Sequence, residues 1–172
     1  MALVVAVDGR APAIDPAALL APSATVAGRV QLGSEVNVWY QAVLRSEEDD
    51  IIVGARTNLQ DGVVVHTDAG HPVVIAHDVQ VGHGAVLHGC TIETGVLIGM
   101  HATVINGSRV RSGCVVAAGA LVLPTLDAPE GWMLAGVPAR AVRPTTEVER
   151  GWLATGCAAY VDRARRHGFG PS

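Results

Sequence analysis

Histidine carries most of the reactive chemistry in this chain. Six of the seven histidines fall between His66 and His101. Neutral imidazole ligates divalent metals and titrates near neutrality, so such a cluster points to a metal centre or to proton transfer. Spacing decides which of them can meet. His66 and His88 are 22 positions apart, as are Asp61 and His83, and Arg45 precedes His66 by 21. Side chains so far apart come together only if the chain returns on itself at a fixed interval. The element that imposes that interval has to be found first.

The interval is a six-residue repeat. Apolar residues recur at Val26, Leu32, Val38 and Leu44, then at Val53, Leu59 and Val65, then at Ile75, Val81 and Leu87, and finally from Ile92 through Ile98, Val104, Val110 and Val116 to Val122. Two positions before most of them sits a second small or β-branched residue, such as Ala24, Ala42, Val63, Ala85, Cys90 or Cys114. Glycine often follows, as at Gly33, Gly54, Gly82 and Gly99. The period is too short for paired helices and too long for simple strand alternation. It implies one short strand and one corner per repeat, three faces closing a triangular coil, and coils stacked about 4.8 Å apart. The low aromatic content, 3%, fits a narrow core of Val, Ala, Leu and Ile. The period leaves the hand of the coil open; six-residue repeats with glycine corners resemble left-handed β-helices. The fold class is therefore all-β: a left-handed parallel β-helix with a C-terminal α-helix.

Three slips interrupt the repeat: nine residues from Leu44 to Val53, ten from Val65 to Ile75, and five from Leu87 to Ile92. They predict loops in 47–50 and 67–71 and a tightened corner after Leu87. After Val122 the repeat fades into turns at Pro124, Pro129, Gly131, Gly136 and Pro138. Thr146 followed by Glu149 reads as a capping box, and a helix is expected over 147–166. Val148, Trp152, Thr155 and Ala159 mark its expected packing face. The domain reading is 1–143 for the β-helix with its opening strand and exit turns, and 144–172 for the helical segment.

With this register, Arg45, His66 and His88 fall on successive coils in one outward column. Asp61 and His83 form a second column, one face earlier. Two stacked imidazoles can converge on a metal, because in a tetrahedral site the ligand nitrogens lie about 3.3 Å apart. His83 cannot reach that pair within its own chain, so a three-fold assembly is expected to supply it from a neighbour. Asp61 would then be an acceptor that orients a ligand histidine.

Composition excludes several classes. The net charge of −4 offers no basic field, so no nucleic-acid partner is expected. Cys90, Cys114 and Cys157 have neither a disulfide framework nor a CxxC spacing. Met1–Arg10 has no positively charged leader and no membrane span is legible, so the default location is the cytoplasm.

The runs VNVWYQAVLRSE, VGARTNLQDGVVVH, VGHGAVLHGCTI and LIGMHATVINGS, with the exit GVPARAVR and the helix AAYVDRARRHG, resemble the γ-class carbonic anhydrases. The resemblance covers about residues 12 to 168. It implies a homotrimer with three interfacial Zn2+ sites, with His66 and His88 from one subunit and His83 from the next; Fe2+ or Co2+ also suits such ligands. It implies reversible hydration of carbon dioxide to bicarbonate by a metal-bound hydroxide, with Arg45, Gln60, Asp61 and Tyr160 as the functional polar residues. The chain departs from the family at Arg45-Ser46-Glu47, where Arg-Gly-Asp is usual, so Glu47 is expected to make the acidic contact from one methylene further. It also lacks the glutamate-bearing acidic loop; only Thr67-Asp68-Ala69-Gly70-His71 is present, where His71 is a candidate proton carrier by its imidazole chemistry, the alternative being a loop histidine with no role. Two other classes share the pattern: a hexapeptide-repeat acyltransferase and a metal-binding trimeric scaffold.

Overall fold

The structure, a computed structural model, describes residues 1–170. It is a left-handed parallel β-helix of about seven turns closed by one C-terminal helix. Each turn contributes three short strands. The first face stacks Val43–Leu44 beneath Val64–His66, Val86–His88, Thr103–Val104 and Leu121–Val122. The second stacks Ile51–Val53, Val73–Ile75, Thr91–Ile92 and Arg109–Val110. The third runs from Leu19–Leu20 through Asn37–Val38, Asn58–Leu59, Gln80–Val81 and Leu97–Ile98 to Val115–Val116. It ends in Trp132–Gly136, on which Ala139–Pro144 folds back antiparallel. Strands Thr25–Leu32 and Val43–Val53 run through a corner and belong to two faces.

Every six-step residue from Val26 to Val122 points inward and is buried, as are the smaller residues two places earlier. Branched side chains of similar size stack in register along the axis, which packs a narrow core without large rings. Corners turn through left-handed backbone. At the corner before the first face, Gly62 (φ 69°) and Gly84 (φ 66°) hold this position beside Asp61 and His83. A Cβ on Gly84 would lie 2.4 Å from the His101 ring on the next coil, so a side chain there would have to displace that ring.

The slips appear where the spacing puts them. The first is a bulge: Gly28 pairs with Ser46 but Val30 pairs with Ile51. The second is a loop closed by an antiparallel bridge between Asp68 and His71. The two are tied together, because Thr67 Oγ1 donates to Ser46 Oγ (3.3 Å) and Gly70 N–H donates to Asp49 Oδ2 (3.1 Å).

The helix spans Glu147–Arg166 and opens with the expected capping box on Thr146 and Glu149. Arg143 donates twice to Glu149 at 2.8 Å. That guanidinium, with the Thr146 N–H, holds the Glu149 carboxyl down at about 2. The packing face differs from the expected one. Glu149, Cys157, Val161 and Ala164 are buried against the coil, whereas Val148 (64% exposed), Trp152 (51%) and Thr155 face outward. A helix lying flat on a sheet needs small residues at the contact. Gly156 provides one, since a Cβ there would meet the Gln80 side chain at 1.9 Å. The seam also holds Trp39, whose ring centroid lies 5.4 Å from Tyr160 and 5.1 Å from Phe169. No helix among the described residues is long and apolar enough to cross a membrane. The segment read as 144–172 extends to residues 171 and 172, which lie outside the described residues.

Cys90, Cys114 and Cys157 are buried and free, and burial pushes the Cys90 thiol up to about 12. A thiol kept protonated and covered reacts slowly. Native protein is therefore expected to resist a thiol reagent until denaturant is added; fast labelling of Cys90 or Cys114 in the native state would contradict their inward register.

Candidate metal centre

Arg45, His66 and His88 pair in register on three successive rungs at the end of the first face. His66 Nδ1 lies 2.9 Å from His88 Nε2. The outer nitrogen of each ring is engaged elsewhere. His66 Nε2 faces Glu47 Oε2 at 3.2 Å. His88 Nδ1 faces the Asn106 side-chain oxygen at 2.5 Å, and the Asn106 amide donates to Asp68 Oδ2 at 2.8 Å. Glu47 also pairs with Arg45. Burial works against ionising Glu47, but hydrogen bonds from Arg45 and His66 together bring its carboxyl below the ordinary range. The hydrogen bond from Asn106 does the same for Asp68.

These contacts fix where the protons sit. A carboxylate and an amide oxygen only accept, so each outer ring nitrogen carries the N–H. The two inner nitrogens therefore present lone pairs to each other. Two acceptors at that distance repel unless a metal ion, or a proton on one ring, lies between them. Separation by a few tenths of an ångström brings them to the roughly 3.3 Å of a tetrahedral metal site with nitrogen ligands. By this donor chemistry the residues fit a divalent ion.

His83 stands on the other edge of the same face, at the corner before Ala85. Its Nδ1 lies 2.8 Å from Asp61 Oδ2, as the stacked columns predict, which leaves Nε2 free. It lies five positions before His88, across the turn at His83-Gly84 and the strand Val86–His88, a reach of at most about 16 Å at the strand rise. Within one chain, then, the structure brings together His66 and His88 but not His83. Among the described residues the metal-capable cluster is His66, Asp68 and His88, whose ligand atoms lie within 4.8 Å of one another. Asp68 and Asn106 escaped the sequence reading. The available signal was the position of Asp68 at the start of the ten-residue slip. Asn106 gave none, because it reaches His88 from the next coil across a shortened corner.

The remaining residues divide. Arg45 and Asp61 sit in the two columns as expected, and Arg45 pairs with Glu47 within the chain. Gln60 is buried and donates to Asn58 Oδ1 at 3.0 Å. It lines a groove of about 510 Å³ with His83, Leu97, Met100, Met133 and Trp152. Tyr160 is a half-buried packing residue against Trp39, with the Arg163 guanidinium 4.8 Å from its ring centre.

No family model matches the chain. Among curated proteins, it is 40% identical over 164 residues to "Gamma carbonic anhydrase 1, mitochondrial" of Arabidopsis thaliana, a match covering 92% of this chain and 60% of the relative. It spans 59% of a second Arabidopsis relative, so about three-fifths of the length of each. It is 42% identical over 124 residues to the "Probable carbonic anhydrase" of Methanocaldococcus jannaschii, covering 72% of this chain and 78% of that one. Among solved structures, a Bacillus cereus protein bearing an acetyltransferase name superposes with a TM-score of 0.93 at 30% identity, covering 96% of both chains. A hexapeptide transferase family protein from Anaplasma phagocytophilum gives 0.90 at 34%, covering 95% of this chain and 96% of its own. The chain belongs to the γ-class carbonic anhydrase family of hexapeptide-repeat, left-handed β-helix proteins.

Proposed function

We propose that the chain assembles as a homotrimer and hydrates carbon dioxide reversibly to bicarbonate, with Zn2+ held by His66 and His88 of one subunit and His83 of the next. The observation that carries this reading is the pair of imidazole nitrogens facing each other at 2.9 Å, with the other nitrogen of each ring held against an acceptor. The first face supports the assembly. Its outward residues, Val43, Val64, Val86, Thr103 and Leu121, are mainly apolar and none is buried in the single chain. His83 opens that face and His66 and His88 close it. Three such faces turned toward a common axis bring each opening edge against a neighbour's closing edge.

A metal held this way supplies a Lewis acid that makes water nucleophilic near pH 7. The chain's own groups do the rest. Asp61 keeps His83 with its Nδ1 protonated, and Glu47 does the same for the outer nitrogen of His66. Gln60 lines a mostly apolar groove together with His83, which suits the entry of an uncharged substrate. His71, exposed on the 67–71 loop, is the proton carrier. Glu47 takes the place of the usual aspartate.

If proton transfer limits turnover, added imidazole buffer should raise kcat for carbon dioxide hydration with little change in kcat/KM, because the chemical step comes first. His71→Ala should lower kcat only in weak buffer. A zinc-loaded trimer inactive at every buffer concentration would reject the enzyme and leave the scaffold reading. The acetyltransferase and transferase names of the two structural neighbours favour one rival, acyl transfer. Turnover of a coenzyme A thioester by metal-free protein would establish that rival instead.

A further inference from the structure

We propose that Asp68, acting through Asn106, locks the His88 ring in the one tautomer that can bind a metal through Nε2; the inference rests on the metal reading above. An asparagine amide presents either its oxygen or its nitrogen with nearly the same shape, so its orientation is decided by its partners. With the oxygen toward His88, Asn106 accepts from Nδ1–H and leaves Nε2 as a lone pair. Reversed, it donates to Nδ1, moves the ring proton to Nε2, and closes that nitrogen to the metal. His88 alone does not decide, because a neutral imidazole satisfies either arrangement.

Asp68 decides. Its carboxylate only accepts, and it lies 2.8 Å from the Asn106 amide nitrogen. Reversing the amide would set two oxygens against each other at that distance. Asp68 is therefore a positioning residue, although its side chain is half exposed and looks like an ordinary loop acid.

Two of the three repeat slips serve this arrangement. The ten-residue slip carries Asp68, and its loop is fixed by the Asp68–His71 bridge and by the Gly70 bond to Asp49. The five-residue slip tightens the corner at Gly89, which has φ 53°. A Cβ there would lie 2.5 Å from the Asn106 side-chain oxygen and 2.8 Å from the His71 Cβ. Only glycine leaves the path from Asn106 to His88 open. Shortening that corner by one residue also brings Asn106, from the following coil, within reach.

The test exchanges the two side chains. In Asp68→Asn the amide of Asn106 is free to reverse, and zinc affinity measured against a chromophoric chelator should weaken about ten-fold or more, in the range seen when groups supporting a ligand histidine are removed. The double variant Asp68→Asn with Asn106→Asp restores the logic: the carboxylate introduced on the later coil accepts both from His88 Nδ1–H and from the amide introduced on the loop. Its affinity should recover most of that roughly ten-fold loss. Nitrogen NMR of the metal-free protein reads the tautomer directly. His88 should carry its proton on Nδ1 in the original chain and in the double variant, and populate both tautomers in Asp68→Asn. Unchanged affinity and tautomer in Asp68→Asn, or a double variant as weak as the single one, would overturn the proposal. Original protein that shows the Nδ1–H tautomer but binds no zinc would support the lock and overturn the metal reading.

Discussion

Mixing two inactive variants should restore metal binding. His83→Ala removes the ligand on the opening edge of the first face, and His66→Ala removes one on the closing edge. Alone, each variant breaks every site in a three-fold ring, because each junction then lacks the same one of its three ligands. Unfolded together in equal amounts and refolded, they form mixed rings. A site is whole where a His83→Ala chain, which keeps His66 and His88, meets a His66→Ala chain, which keeps His83. Random mixing makes that pairing about one junction in four, so about a quarter of the original zinc content should return, and hydration activity with it. Folding should survive in each variant, since all three rings point away from the buried core. Zinc retained in full by His83→Ala alone would place the third ligand elsewhere, with Asp68 the first alternative. No recovery from well-folded mixed trimers would show that the sites are not shared.

Gly28→Ala should be the most damaging small substitution in the coil. Gly28 has φ 80°, and a Cβ there would lie 1.8 Å from the Ser46 carbonyl oxygen and 2.9 Å from its carbon. The left-handed backbone alone costs a non-glycine residue about 1 kcal/mol. The clash forces the bulge to move as well, and together they should remove at least about 3 kcal/mol, or roughly 10 °C in melting temperature for a chain of this size. Gly9→Ala is the control. Its φ of 74° is similar, but nothing lies within 4 Å of the added Cβ, so only the backbone cost remains. Because the displaced bulge carries Glu47, Gly28→Ala should also weaken zinc binding in the folded fraction. A melting curve matching that of Gly9→Ala would show that the bulge yields without cost.

The contrast between these positions explains what the sequence made legible. The repeat is rigid, so counting in sixes placed Arg45, His66 and His88 in one column and Asp61 with His83 in another. The same count put Cys90 and Cys114 in the interior. Contacts made across a corner, such as Asn106 to His88, obey no period and depend on how a slip redirects the chain. The helix face failed for a different reason. Val148 and Trp152 carry the apolar signal, but Gly156 and Ala164 allow the close approach, and hydrophobicity ranks small residues low. Asn37, Asn58 and Gln80 point outward on the third face. They are buried because the helix covers them, with Trp39 Nε1 donating to Asn37 at 2.8 Å and Gln80 donating to the Trp152 carbonyl at 3.0 Å.

A parallel solenoid carries a hazard in its ends. Its last rung offers unpaired N–H and C=O groups in the register that another molecule's first rung would accept, and stacking of that kind has no natural stop. On the third face the strand Ala139–Pro144 lies antiparallel over Trp132–Gly136. An incoming parallel rung meets a strand of the wrong polarity, with Pro144 lacking a donor at its end. The first and second faces finish in two-residue strands, Leu121–Val122 and Arg109–Val110, and the irregular segment 123–131 follows them. The turned-back strand thus acts as a terminator against fibre growth, and keeps a fold of unlimited length a discrete particle.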